Sequence, residues 1–158
     1  WKFSDDSNAV GAAVKRGFTI FNEKGKCVKC HLGADFTTSE FKNIGLFNAE
    51  ILNDSGRYMV TGKADDIGRF KTTSLRNIAI TAPYMHNGIF KTLDEVIDFY
   101  NDAKKKVPNA VNKDTLLLKP LGLTKKEKAD LKAFMLSLID RQFKKIKLWK
   151  GNGYLKIR

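Results

Sequence analysis

Cysteine and histidine are scarce in this chain, which has two of each among its 158 residues. The cysteines, Cys27 and Cys30, stand three positions apart, and a zinc site built on them would lack its remaining ligands. A thioredoxin-like redox disulfide is also disfavoured, because no strand-helix-strand pattern surrounds the pair. The scarcity therefore leaves few kinds of chemistry for these two thiols.

Long hydrophobic runs are absent as well, since no apolar stretch approaches the roughly 18 residues that cross a bilayer. With 42% hydrophobic and 29% charged residues, the composition is typical of a soluble globular protein. A chain of 158 residues is most simply one domain. An initiator methionine and a signal peptide are also lacking, from which we expect a mature or trimmed form of the protein.

Cys27, Cys30 and His31 form the pattern Cys-x-x-Cys-His, the attachment site of a c-type haem. The two thiols add across the haem vinyl groups, and the imidazole that follows is held beneath the iron as its proximal ligand. The motif therefore predicts one covalently bound haem c. Because covalent haem attachment follows export, it also predicts a periplasmic or other extracytoplasmic location.

Acidic residues are outnumbered by basic ones, 17 against 29, which gives a formal net charge of +12. A charge of this sign steers anionic partners toward a protein. The lysines concentrate at 104–106, 125–128 and 144–147, but no recognisable nucleic-acid-binding motif accompanies them. We therefore expect solvated basic faces and an acidic redox protein as partner, and no nucleic acid.

The spacing of apolar residues predicts three helices, near residues 8–22, 93–102 and 125–140. Ser7 or Asn8 would cap the first helix. The other two begin with capping boxes, in which a threonine caps the helix and a glutamate three residues later reaches back, at Thr92–Glu95 and Thr124–Glu127. The expected fold is all-α and cytochrome c-like, around one covalent haem, with long loops and at most a small β-hairpin.

Two chain segments are expected. Residues 1–140 form the c-type cytochrome domain, and the first seven of them, 1–7, are an N-terminal arm. Residues 141–158 form a basic C-terminal tail. The small hairpin is expected between residues 58–60 and 70–72, because glycines lie in the connection.

A haem held by His31 needs a second axial ligand or an open position on its other side, and this choice separates electron transfer from chemistry at the iron. Met135 belongs to the apolar stripe of the third helix, where a methionine is more often core filler. Met59 and Met85 lie in predicted loops, and Met85 is the favoured candidate from the residues alone. The periodicity of the second helix turns Tyr100 toward the interior.

Further motifs accompany Cys-x-x-Cys-His, and the resemblance that they carry covers most of residues 10–140. They are Arg16-Gly17 with Phe21, Cys27-x-x-Cys30-His31-x-Gly33, Phe36-Thr37, Phe41-x-Asn43-x-Gly45 and the run from Phe70 to Gly88. With them the chain resembles the C-terminal, electron-transfer haem domain of the bacterial di-haem cytochrome c peroxidase and MauG family. Leu75 to Gly88 is far more specific than the Cys-x-x-Cys-His motif alone.

The resemblance implies a particular second ligand. In the family this ligand lies fourteen residues beyond the histidine of a Tyr-x-His motif, and it is methionine in typical peroxidases and tyrosine in the MauG type. Counted from His86, the position is Tyr100, the residue that periodicity also turns inward. The expected pair is therefore His31 and Tyr100, with Met85 as the alternative. An anionic phenolate would lower the reduction potential relative to methionine.

The resemblance also implies a calcium ion between two haem domains, bound in part by the main-chain carbonyls of Thr81 and Pro83. His86 would lie near the region between the haems without binding iron. The alternative for Thr81 to Pro83 is a rigid turn with no metal.

Family members carry two haems, with the peroxide-reacting haem in the N-terminal domain, whereas this chain has one Cys-x-x-Cys-His motif. We expect an electron-transfer domain or subunit of a peroxidase-like oxidoreductase, working with a second haem on a partner domain or chain. The alternatives are a stand-alone periplasmic mono-haem cytochrome and a haem subunit of a larger multi-haem complex. An apolar surface formed by residues 81–88 and the arm before Ser7 would favour the first hypothesis, whereas lysines around the haem edge would favour a carrier.

Overall fold

The computed structural model describes residue 6 and residues 8–140, 142–143, 148–150 and 153–155. Its regular structure is mostly helical, with α1 (Ala12–Asn22), α2 (Tyr58–Thr61), α3 (Leu93–Asn101), α4 (Ala103–Lys106) and α5 (Lys125–Ser137). Single 3₁₀ turns occur at Cys27–Lys29, Ala64–Asp66, Ile78–Ile80 and Thr115–Leu117. Two antiparallel strand pairs are β1 (Phe41–Lys42) with β2 (Phe70–Lys71), and β3 (Leu148–Lys150) with β4 (Gly153–Leu155).

Helices α1 and α5 cross closely at Gly17. A Cβ atom built on this glycine would lie 2.0 Å from the carbonyl oxygen of Asp130, so only glycine allows the two backbones this approach. Beside the crossing, Phe21 packs edge-to-face on Phe134, with ring centroids 5.1 Å apart. The crossing buries the apolar faces of both helices. Of the two, α1 lies directly before the Cys-x-x-Cys-His motif in the sequence.

An ion pair fastens the same crossing. Arg16 donates two hydrogen bonds to Asp130, from Nε to Oδ2 at 2.8 Å and from Nη2 to Oδ1 at 2.7 Å. Asp130 is buried, and the Arg16 guanidinium holds the pKa of its carboxyl below the ordinary value. Such a bidentate pair fixes the geometry of its two elements as well as adding energy.

Asp130→Asn is therefore expected to lower stability at neutral pH and to flatten its acid dependence. A carboxyl with a lowered pKa contributes stability above its ordinary pKa of about 4, and this contribution is lost as the pH falls through the lowered value. Urea unfolding at a series of pH values checks this. Asp65→Asn, which removes an exposed carboxyl without an ion pair in the described part of the chain, should keep the wild-type profile. A wild-type acid profile in Asp130→Asn would contradict the prediction.

Both predicted capping boxes are present. In α3 the Glu95 amide donates to Thr92 Oγ1 at 3.3 Å, and the Thr92 amide donates to Glu95 Oε2 at 2.8 Å. In α5 the Glu127 amide donates to Thr124 Oγ1, and the Thr124 amide donates back to Glu127 Oε2. Each box satisfies backbone donors that a helix start leaves unpaired, and it fixes where the helix begins.

Helix α3 contributes to two hydrophobic clusters. One face, with Leu93 and Ile97, joins a cluster built on α1 and α5. The adjoining face, with Val96 and Phe99, joins a second cluster that also contains Leu46, Phe90, Ala103 and Val107. Leu93, Val96 and Ile97 are therefore buried, as the periodicity predicts.

The predicted hairpin between residues 58–60 and 70–72 is wrong. Tyr58–Thr61 forms α2, which ends at Gly62 in the left-handed conformation with φ 63°. Strand β2 pairs instead with β1, so that Phe41 lies opposite Lys71. The glycine therefore ends a helical turn and does not turn a hairpin.

The first helix begins later than predicted, because Asp6 holds the preceding residues in a turn. The Asn8 amide donates to Asp6 Oδ1 at 2.8 Å, and the helix starts after an extended Gly11. Helices α3 and α5 end one and three residues before their predicted ends at 102 and 140.

The predicted arm at residues 1–7, including the candidate cap Ser7, lies outside the described residues apart from Asp6. Of the tail predicted at 141–158, the structure describes residues 142–143 and the pair formed by β3 and β4, with Trp149 opposite Tyr154. Within the described residues, no helix has the length and apolar character needed to cross a bilayer.

Candidate haem site

The Cys-x-x-Cys-His motif folds around the 3₁₀ turn Cys27–Lys29. The Cys30 amide donates to the Cys27 carbonyl at 3.2 Å, and the His31 amide donates to the same oxygen at 2.9 Å. Because a 3₁₀ helix repeats every three residues, side chains three positions apart lie on the same edge. Cys27 and Cys30 therefore share one edge of the turn, which suits two bonds to one flat macrocycle.

Both thiols are free and neither favours the thiolate form. Burial raises the pKa of Cys27 to about 12. Burial also raises the pKa of Cys30, although the nearby Lys42 ammonium opposes the shift. A thiol–disulfide exchange centre needs an accessible, low-pKa thiolate, so the arrangement does not suit that chemistry.

His31 is oriented by the loop that follows it. Its Nδ1 lies 2.9 Å from the carbonyl oxygen of Phe36, and because a carbonyl only accepts hydrogen bonds, Nδ1 carries the proton and donates. Burial lowers the pKa of His31, and the carbonyls of Phe36 and Thr73 oppose that shift. A neutral imidazole with its proton on Nδ1 presents the Nε2 lone pair, which is the form that binds iron.

Tyr100 occupies the second half of α3, partly buried against the cluster that contains Phe99. Burial raises the pKa of its hydroxyl, and the charges that Cys27 and Cys30 would carry as thiolates raise it further. Coulomb effects of this kind decline with distance, so the Tyr100 hydroxyl lies near the two thiols. The Tyr100 hydroxyl has no hydrogen-bond partner within the described residues.

These residues fit a haem c. Cys27, His31 and Tyr100 are each desolvated by the surrounding protein, and each keeps some accessible surface. The donor set is two thiols on one edge, an oriented imidazole nitrogen and an unpaired phenol oxygen. Thioether attachment and axial ligation use these groups.

The three methionines lie in different surroundings in the structure. Met59 is 76% exposed on α2 and Met135 is buried in the cluster formed by α1 and α5. Met85 is partly buried against the cluster that also contains Tyr100, with φ 69°. Met85 therefore lies in the same cluster as Tyr100, whereas Met135 lies in the cluster against which Cys27 packs.

The segment from Thr81 to His86 lies at the surface. Thr81 and Pro83 are exposed, and His86 stacks on Phe70 with ring centroids 3.5 Å apart. Burial lowers the pKa of His86, whereas the nearby Asp54 carboxylate raises it. In the described residues, no group of three or more histidine, cysteine, aspartate or glutamate side chains is arranged to hold a metal ion.

Two contacts at the site were missed by reasoning from the sequence. The Phe36 carbonyl is the hydrogen-bond partner of His31. The only sequence signal for this position was the Phe36-Thr37 motif. Tyr84 packs against both hydrophobic clusters and donates from its hydroxyl to the Ile78 carbonyl at 2.9 Å. Its place within the run from Phe70 to Gly88 was the available signal.

No protein-family model matches the chain, but individual proteins do. The cytochrome-c peroxidase IdrP1 of Denitromonas iodatirespirans is 36% identical in an alignment of 166 positions, which covers 87% of this chain and 43% of the relative. The methylamine utilization protein MauG of Methylorubrum extorquens is 36% identical over 140 residues, which cover 87% of this chain and 37% of the relative. The chain belongs to the bacterial cytochrome c peroxidase and MauG family.

A solved structure of this family has the same fold. A MauG-like protein associated with microbial copper homeostasis matches with a TM-score of 0.74 at 34% identity, covering 84% of this chain and 48% of that protein. The diheme peroxidase BthA of Burkholderia thailandensis shares the fold at 23% identity, with a TM-score of 0.72. The chain spans about two fifths of the length of the curated cytochrome c peroxidases and MauG proteins named above.

Proposed function

We propose that the chain is a c-type haem electron-transfer domain or subunit of a di-haem, peroxidase-like oxidoreductase of the cytochrome c peroxidase and MauG type. The observation that carries the proposal is the 3₁₀ turn that sets Cys27 and Cys30 on one edge and follows them with an oriented His31. This arrangement serves covalent haem attachment and does not suit a thiol–disulfide centre.

Each residue has a separate task in this proposal. Cys27 and Cys30 would hold the haem through thioether bonds, and His31 would bind the iron through Nε2 while the Phe36 carbonyl fixes its ring. Tyr100 would supply an oxygen ligand to the iron. Haem c, when bound, supplies a one-electron ferric/ferrous couple. Burial of the ligands keeps water away and lowers the local dielectric constant, which tunes that couple.

Tyr100 is preferred to Met85 as the second ligand. The Tyr100 hydroxyl has no hydrogen-bond partner in the described part of the protein. Met85 packs in the same cluster and stays the alternative. A phenolate favours the ferric state, so this domain would store oxidising equivalents at a low potential.

A second haem on a partner domain or chain would complete the oxidoreductase. The exposed surface from Thr81 to Ile89 suits contact with such a partner, because it includes Ala82, Pro83 and a 43% exposed Ile89. Calcium bound in part by the Thr81 and Pro83 carbonyls would sit at that contact, and its other ligands would come from the partner. His86 would lie near the region between the haems.

The cellular compartment and the division of the chain follow from the same proposal. Thioether attachment implies a periplasmic or other extracytoplasmic compartment. Residues 1–140 would be the cytochrome domain, and residues 141–158 a basic tail outside it, since α5 ends at Ser137. A stand-alone mono-haem carrier remains the second candidate, favoured by the exposed lysines Lys26 and Lys29 beside the cysteines.

The haem assignment is tested by removing the thiols. Wild-type protein made with c-type maturation machinery should keep one haem per chain through denaturing electrophoresis, whereas Cys27→Ala/Cys30→Ala should lose all covalent haem. Val28→Ala, within the same turn, is the matched control and should retain the haem. Haem that leaves the wild-type chain under denaturing conditions would contradict the proposal.

Native mass spectrometry of the protein from its source decides between the two candidate functions. A particle with a second haem, on the same or another chain, supports the peroxidase-like oxidoreductase. A one-haem monomer supports the carrier.

A further inference from the structure

Phe36, whose carbonyl oxygen orients His31, has an unusual backbone conformation. Its φ is 51°, in the left-handed region that bulky residues rarely adopt. Such a conformation persists only where the surrounding structure holds it in place. Its ring is held by edge-to-face packing on Phe21 and Phe134, with centroids 6.0 Å from each. Contacts of the neighbouring backbone are needed as well, because a fixed ring does not fix the direction of a carbonyl.

The residues on both sides of Phe36 are bonded to one distant segment of the chain. After Phe36, the Thr37 hydroxyl donates to the Thr72 carbonyl at 2.6 Å. Before it, the Ser74 hydroxyl donates to the Asp35 carbonyl, also at 2.6 Å. These two hydrogen bonds are named the hydroxyl clamp. Because one holds the peptide group before Phe36 and the other anchors the residue after it, together they limit how far the Phe36 carbonyl can turn.

An ion pair joins the same two segments at the surface. Arg76 Nε donates to Asp35 Oδ1 at 3.0 Å, but the side chains are 45% and 74% exposed, and an ion pair so open to water contributes little. The Arg76 amide also donates to Ser74 Oγ at 3.1 Å. Ser74 Oγ thus accepts one hydrogen bond and donates the other to Asp35, so the hydroxyl is oriented toward its clamp partner.

The clamped segment also acts on His31 directly. Thr73 lies between the two residues of this segment that form the clamp, Thr72 and Ser74. Its carbonyl, like that of Phe36, opposes the lowering of the His31 pKa by burial. Both carbonyls that act on the imidazole therefore belong to the segments that the clamp joins.

We propose that Thr37 and Ser74 are positioning residues for His31, because the hydroxyl clamp fixes the Phe36 carbonyl and thereby sets the orientation and donor strength of the imidazole. The inference deepens the proposed haem function and rests on it. A hydrogen bond from Nδ1 to a fixed acceptor makes a ligating imidazole more basic and fixes its ring. A more basic ligand favours ferric over ferrous iron, so the clamp lowers the reduction potential.

The test compares the haem-loaded double variant Thr37→Val/Ser74→Ala with the haem-loaded wild type. Valine keeps the shape of threonine, and alanine removes only the hydroxyl of serine. At the midpoint potential of the wild type, the variant should have a ferrous-to-ferric ratio of about three or more in place of equal amounts. The electron paramagnetic resonance spectrum of the ferric haem should also change, because the imidazole ring is held less firmly. Potentiometric titration measures the first effect.

Thr61→Val is the matched control. The Thr61 hydroxyl donates to Asp66 Oδ2 at 2.8 Å, and it belongs to α2, outside both clamped segments. The substitution therefore removes a comparable hydrogen bond with the same change of side chain. It should lower stability in urea unfolding but leave the potential and the ferric spectrum at their wild-type values.

The single variants Thr37→Val and Ser74→Ala should shift the potential in the same direction by less, and they cover the case in which the double variant does not fold. Haem-loaded clamp variants with the wild-type potential and spectrum would overturn the positioning role. An equal shift in Thr61→Val would overturn it too, since general loosening of the fold would then explain the effect. Absence of covalent haem in the wild-type chain would overturn the proposed function itself, and normal haem content with an unchanged potential only the clamp.

Discussion

Tyr100→Phe is expected to raise the reduction potential of the haem by about 0.1 V or more, a part of the roughly 0.8 V range that axial ligands set. Phenylalanine keeps the ring that packs against the cluster around Phe99 but removes the oxygen donor. Loss of an anionic ligand destabilises ferric iron relative to ferrous iron. The ferric absorption spectrum should change in the same variant, because the proposed second ligand of the iron is removed. Potentiometric titration followed by optical spectra measures both effects.

Tyr84→Phe is the matched control for Tyr100→Phe. Tyr84 borders both hydrophobic clusters, but its hydroxyl already donates to the Ile78 carbonyl. Its replacement should leave the spectrum and the potential close to those of the wild type. An unchanged ferric spectrum in Tyr100→Phe would refute Tyr100 as a ligand, and a change in Met85→Leu would then identify Met85.

The elements that sequence predicted correctly are those specified by local interactions. The boxes at Thr92 and Thr124 involve residues three positions apart, and each helix starts where its box requires. The spacing of Cys27 and Cys30 likewise needs only one turn of backbone. Patterns of this length are readable because the chemistry and the geometry lie within a few residues of each other.

The errors arose where distant segments decide the structure. Strand β2 pairs with β1 across 29 positions, from Phe41 to Phe70, and nothing near either strand specifies the partner. The late start of α1 is an exception, because it depends on a local turn in which the Asn8 amide donates to the side chain of Asp6, a contact that competes with helix formation.

In the candidate site, too, some features could be predicted from the sequence and others could not. Periodicity turned Tyr100 inward, and the resemblance to the cytochrome c peroxidase and MauG family pointed to the same residue. The carbonyl that orients His31 belongs to Phe36, and a backbone acceptor leaves no mark in composition or periodicity. The position of Tyr84 between the two clusters depends on packing between segments that are far apart in the sequence.

Gly17→Ala is expected to destabilise the fold by about 3 kcal/mol or more, since the added methyl group would overlap the backbone of α5. The new Cβ would lie 2.0 Å from the Asp130 carbonyl oxygen and 2.7 Å from Phe134 Cβ. No rotation about a side-chain bond relieves the overlap, because Cβ is fixed by the backbone. The helices must therefore separate, which loosens the Phe21 to Phe134 contact and the Arg16 to Asp130 pair.

Denaturant unfolding followed by circular dichroism measures the loss in Gly17→Ala, and covalent haem content reports its effect on maturation. Gly11→Ser is the control on the same helix, because a Cβ atom at Gly11 meets nothing within 4 Å and serine is a favourable N-cap residue. Its stability should stay within about 0.5 kcal/mol of the wild type. Since α1 leads directly to Cys27, separation of the crossing should also reduce haem attachment. A Gly17→Ala variant as stable as Gly11→Ser would show that α1 and α5 do not approach this closely.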